Sequence, residues 1–99
     1  MNNLQLGKMY LVKEFFWLLF PTKELAEREG VGGDAGWRAV QSAKWYSEYL
    51  NCNVDVVEEN TCFVLLEKDG GYYKLLDSNG NIGWIGCYDF SKNFELVKE

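Results

Sequence analysis

From Thr61 to Val97 short apolar runs alternate with clusters of Gly, Asn, Asp and Ser (TCFVLLEKDGGYYKLLDSNGNIGWIGCYDFSKNFELV), a rhythm that fits closely spaced β-strands. Strands are expected over 62–66, 72–76, 82–85 and 94–97. Turns are expected at Lys68-Asp69-Gly70-Gly71 and at Asp77-Ser78-Asn79-Gly80-Asn81. Asn79-Gly80 predicts a type I′ hairpin turn, which needs positive φ at both central residues. Gly83 beside Trp84 predicts a bulge or a close backbone approach. The irregular piece 86–93 has room for a turn of 3₁₀ helix. No lone hairpin is stable in water, so a further strand must come from the N-terminal half. Lys8 to Lys13 (KMYLVK) has the β character for it.

A resemblance follows from these residues. Tyr72-Tyr73-Lys74-Leu75-Leu76, then Gly80, then Gly83-Trp84-Ile85, a short irregular piece and Phe94-Glu95-Leu96-Val97 resemble the second half of an SH3-type barrel. The likeness covers roughly a third of the chain and speaks to fold more than to function. Two features depart from the peptide-binding form. Gly86 stands where that family has its groove proline, and the first strand lacks the Ala-Leu-Tyr-Asp-Tyr run. The resemblance implies an α+β fold: a small, strongly bent, antiparallel SH3-like β-barrel with a two-helix insertion after its first strand. It would be one domain over 1–99, with the first strand region at 8–20, the helical insertion at 21–51 and the remaining strands at 54–97.

The remaining segments fill in that plan. Residues 1–7 read as a frayed start. Glu14 to Phe20 either extends the first strand or descends into the core as a loop. After Pro21, Thr22 is placed to N-cap a helix over 23–29 with Gly30 as its stop. Asp34 is placed to cap a second helix over 35–50, on which Ala39, Ala43, Tyr46 and Leu50 share one face with Val40 beside it. Asn51-Cys52-Asn53 ends that helix, and Val54 to Val57 alternates as a strand does.

The chemistry is narrow. There is no histidine, which removes the commonest general base and metal ligand together. Cys52, Cys62 and Cys87 are odd in number and form no CxxC, so neither a disulfide framework nor a zinc site is expected. Gly30, Gly32 and Gly33 lack the Lys and Ser/Thr of a phosphate-binding loop. Glu58 and Glu59 are adjacent and on a strand would point to opposite faces. The expectation is therefore no enzyme, no cofactor and no metal. The apolar run 15–20 is too short to span a bilayer and makes a poor signal peptide, which points to a cytoplasm and to no membrane contact. A net charge of −5 argues against direct nucleic-acid binding, which depends on Lys and Arg.

The aromatic residues carry the remaining signal: six Phe, six Tyr and four Trp. In the SH3-like register Tyr72 matches a groove aromatic, Tyr88 or Phe90 matches the aromatic of the 3₁₀ turn, and Tyr10 completes a shallow slot for an extended or Pro-rich peptide. Core packing of the same rings is the competing expectation. Trp45 and Tyr49 form a second surface, which either packs on 15–20 or contacts a partner or another copy of the chain.

The function expected is a non-enzymatic protein- or peptide-binding module. The WLLFPTKE stretch (Trp17 to Glu24) gives the chain the look of small accessory proteins of tailed phages, including those of cyanobacteria. That likeness implies a factor acting on a host protein in the host cytoplasm. Two alternatives remain open. One is an acidic decoy that blocks a basic nucleic-acid-binding site. The other is a small-molecule or nucleotide sponge using aromatic stacking and backbone amides of the Gly-rich loop.

Overall fold

Antiparallel pairing of short strands brings distant parts of the chain together. The computed structural model describes residues 4–29 and 32–98. In chain order the elements are β1 (Met9–Val12), β2 (Phe16–Leu19), α1 (Lys23–Glu29), β3 (Gly33–Asp34), α2 (Gly36–Leu50) and β4 (Asp55–Val57). They continue with β5 (Cys62–Asp69), β6 (Tyr72–Asp77), β7 (Ile82–Gly86), α3 (Phe90–Asn93) and β8 (Phe94–Leu96). A five-stranded sheet has the order β7-β6-β5-β1-β8, and a three-stranded sheet the order β3-β2-β4. The class is α+β, with every strand pair antiparallel. The larger sheet does not close on itself: β7 and β8 are its two edges. None of the helices among the described residues is long and apolar enough to cross a membrane.

The turns do the local work. Gly70 (φ 63°) opens the two-residue connection between Asp69 and Tyr72, which face each other across β5 and β6. The next turn differs from the expected type I′. Only Gly80 has positive φ (84°) while Asn79 does not, because the Asp77 carboxylate organises the loop instead. Asp77 Oδ1 accepts from the backbone N–H of Asn79 at 2.9 Å and of Asn81 at 2.8 Å, and the Gly80 N–H donates to the Asp77 carbonyl at 3.1 Å. A register shift between Leu65 and Glu67 lets β5 bend.

Chain entry and the first corner also differ from expectation. Leu4 packs against the core, and the Gly7 N–H donates to the Leu65 carbonyl at 2.7 Å, so residues 4–7 are tied to the sheet. Residues 14–20 neither extend β1 nor form a loop. Phe15 takes a left-handed φ of 68°, turning the chain so that β2 becomes the centre of the second sheet. The sheets join where Phe20 and Trp84 exchange backbone hydrogen bonds of 2.9 and 2.7 Å. Gly83 permits that approach: a Cβ there would stand 2.5 Å from the Phe20 carbonyl oxygen and 2.8 Å from Leu19 Cγ.

One face of the large sheet carries the main core, where Tyr10, Phe63, Tyr73, Phe90 and Phe94 interlock with Trp17 of β2. The opposite face, with Tyr72 and Trp84, packs on a second cluster built around Phe20, Ala26, Ala43 and Val54. Thr22 caps α1 as expected, its hydroxyl accepting from the Leu25 N–H at 3.2 Å. The expected stop at Gly30 lies outside the described residues.

Candidate functional site

Four of the nine exposed large hydrophobic residues among those described lie on helix α2. Its N-cap is Ala35, not Asp34 as expected, and no side chain caps it. Asp34 lies one residue earlier, where Oδ1 accepts from the Ala35 N–H at 2.8 Å and pairs with Arg38 Nε at 3.2 Å. Asn51 closes the helix in the left-handed region (φ 53°), its N–H returning to the Ser47 carbonyl. Ala39 and Ala43 are buried on the inner face, and Tyr46 and Leu50 are half-buried beside them. The Tyr46 hydroxyl donates to the Glu29 carbonyl at 2.9 Å, satisfying one of the last acceptors of α1.

On the outer face the rings have water for a neighbour. Trp37, Val40, Trp45 and Tyr49 are 67, 55, 57 and 65% exposed. Trp37, Gln41, Trp45 and Tyr49 follow one another at four-residue steps, so they form a single ridge along the helix. Trp45 and Tyr49 stack at 4.8 Å with planes 14° apart. Trp45 also meets Tyr46 edge-on at 5.0 Å, and Tyr46 meets Phe20 edge-on at 5.5 Å. A chain of rings therefore runs from the second cluster to the surface and holds the outer pair in place. At the other end, the Arg38 guanidinium lies 5.5 Å from the centre of the Trp37 ring. Of the two outcomes expected for Trp45 and Tyr49, packing on 15–20 is not observed.

The slot expected from the SH3-like register does not assemble. Tyr10 is 4% exposed, stacks on Phe63 at 5.9 Å and accepts at its hydroxyl from the Gln5 N–H at 2.9 Å. Phe90 is 5% exposed and lies 4.6 Å from Tyr73. Tyr73 is the core-facing member of the tyrosine pair. Tyr72, one residue away, therefore faces the second cluster and is half-buried. Tyr88 is 92% exposed just beyond β7. Sequence reasoning missed Trp37 and the outward turn of Val40. The four-residue spacing that links Trp37 to Trp45 and Tyr49 was the available signal.

A cavity of about 200 Å³ lies between the inner side of α2 and the second sheet, lined among others by Phe16, Leu18, Glu29, Asp34, Ser42 and Tyr46. Its two carboxylates oppose a phosphate. The Gly32 N–H, which a phosphate would need, already donates to the Gly86 carbonyl at 2.9 Å.

Reactive groups elsewhere are subdued. All three cysteines are free thiols. Burial pushes the Cys87 thiol up, against smaller opposing hydrogen bonds from the Asp89 backbone and Asn93. A protonated, buried thiol is a poor nucleophile. Burial, and then the nearby charge of Asp77, raise the Asp55 carboxyl above its ordinary value. Among the described residues no group of three or more His, Cys, Asp or Glu is placed to hold a metal ion. Comparison with protein-family models, with curated proteins and with solved structures gave no match.

Proposed function

We propose that this chain is a non-enzymatic protein-binding module whose contact surface is the outer face of α2. The observation that carries the reading is the stacked Trp45–Tyr49 pair, more than half exposed and already ordered by Tyr46. Ordered aromatic rings lose little conformational entropy when a partner covers them, which is why Trp and Tyr dominate interface hot spots. The strand order β7-β6-β5-β1-β8, with a single helical turn α3 before β8, supports an SH3-like kinship for the larger sheet. On that reading β2, α1, β3, α2 and β4 together take the place of the first long loop. The contact surface would then lie on the inserted segment and not in the groove used by peptide-binding SH3 domains.

The test is capture from lysate by the tagged protein and by its Trp45→Ala/Tyr49→Ala variant, at low and high salt. Each is loaded at equal folded concentration, established by circular dichroism. The expected result is a bound protein that survives high salt and is lost, or weakened by about 2 kcal/mol or more, in the variant. A bound protein lost at high salt and indifferent to the two rings would instead favour the acidic-decoy reading.

A further inference from the structure

We propose that the occupant of the α2 ridge is a second copy of the same chain, docked antiparallel across a two-fold axis at the middle of the ridge. The inference rests on α2 being the contact surface and names its partner.

Charge is the first argument. Helix α2 carries Arg38, Lys44 and Glu48, a sum of +1, in a chain of net charge −5; the remaining residues therefore sum to −6. The ridge thus lacks the acidic charge with which the rest of the molecule, taken together, would repel another copy. A basic partner would be drawn to the rest of the surface instead.

Register is the second. The ridge residues Trp37, Gln41, Trp45 and Tyr49 have their midpoint at position 43. An isologous contact about that midpoint sets Trp37 opposite Tyr49 of the other copy, and Gln41 opposite Trp45. Each covered indole N–H of Trp45 then meets a Gln41 amide oxygen, the kind of acceptor that a buried Trp needs.

Area is the third. With roughly 150–250 Å² available on each aromatic side chain, the exposed fractions of Trp37, Trp45 and Tyr49 leave roughly 400 Å² to cover per copy. Two copies then bury about 800 Å², rising towards 1,000 Å² with the rim residues, which lies in the range of weak, transient contacts. The dimer is therefore weak and reversible.

The experiment is sedimentation velocity from about 5 to about 500 µM protein. The wild type is expected to shift from monomer to dimer across that range, and Trp45→Ala/Tyr49→Ala to stay monomeric with an unchanged circular dichroism spectrum. A wild type monomeric at every concentration overturns the proposal, as does a dimer indifferent to the two rings. A monomeric chain that still captures another protein through Trp45 and Tyr49 overturns the second copy alone and leaves α2 as the contact surface.

Discussion

Two sets of aromatic rings in this molecule are treated in opposite ways. Tyr10, Phe63, Tyr73, Phe90 and Phe94 fill one face of the large sheet, each 6% exposed or less. Trp37, Trp45 and Tyr49 stand on α2 with more than half of each side chain in water. Four of the first set lie on strands, where period two sends every second side chain inward, and Phe90 joins them from α3. The second set follows a four-residue ridge turned away from the buried alanines of the same helix. Rings of similar size thus meet opposite surroundings: the first excludes water from the chain's own interior, and the second, on the proposed reading, leaves surface for another molecule to cover.

The contrast can be broken from the core side first. Phe63 is 1% exposed and touches Tyr10, Phe90 and Phe94. Phe63→Ala should lower stability by about 3–5 kcal/mol in urea unfolding, by lost burial and the cavity left behind. Gly83→Ala should follow at about 1–3 kcal/mol, because its methyl group meets the Phe20 carbonyl at the junction of the two sheets. Trp45→Ala belongs to the other side of the comparison. Its unfolding midpoint should move by no more than about 1 kcal/mol while association through α2 is lost. A Trp45→Ala change as damaging as Phe63→Ala would make the outer rings part of the structure and remove the distinction.

The smallest expected effect is electrostatic. Burial and the Asp77 charge raise the Asp55 carboxyl above its unfolded value of 3.8, so the folded state holds its proton more tightly than the unfolded chain does. Such an acid loses stability as the pH rises from the unfolded value through the raised folded value. Asp55→Asn should gain on the wild type across that window and keep a constant advantage above it, as read from urea midpoints at a series of pH values. A gap between the two proteins that does not vary with pH would refute the assignment.

The same contrast explains what was legible in the sequence. Helix α1 matches its expected range, and the hairpin strands β5, β6 and β7 follow from alternation and turn residues close to them in the chain. The close approach at Gly83 was also readable, because few other roles suit a glycine beside a strand tryptophan. Other features depended on contacts made far along the chain. The apolar run 15–20 has no period of its own, and its direction was set by the corner at Phe15 and by pairing of β2 with β4. That one of Tyr72 and Tyr73 faces the core was legible. The second cluster waiting on the other side was not, so Tyr72 was assigned to a surface slot. Tyr10 and Phe90 were assigned to the same slot on a likeness to a binding family, and the packing of Phe63, Tyr73 and Phe94 around them claimed both for the core.

The most direct test of the contrast is fluorine NMR of the chain labelled with 5-fluorotryptophan, recorded as protein concentration rises. The four tryptophans in the sequence report from different places: Trp17 in the core, Trp84 at the sheet junction, and Trp37 and Trp45 on the α2 ridge. Single Trp→Phe changes assign the signals. The account predicts that the Trp37 and Trp45 resonances shift with concentration while those of Trp17 and Trp84 stay fixed. Four resonances that never move, or a shift shared equally by Trp17 and Trp84, would contradict it.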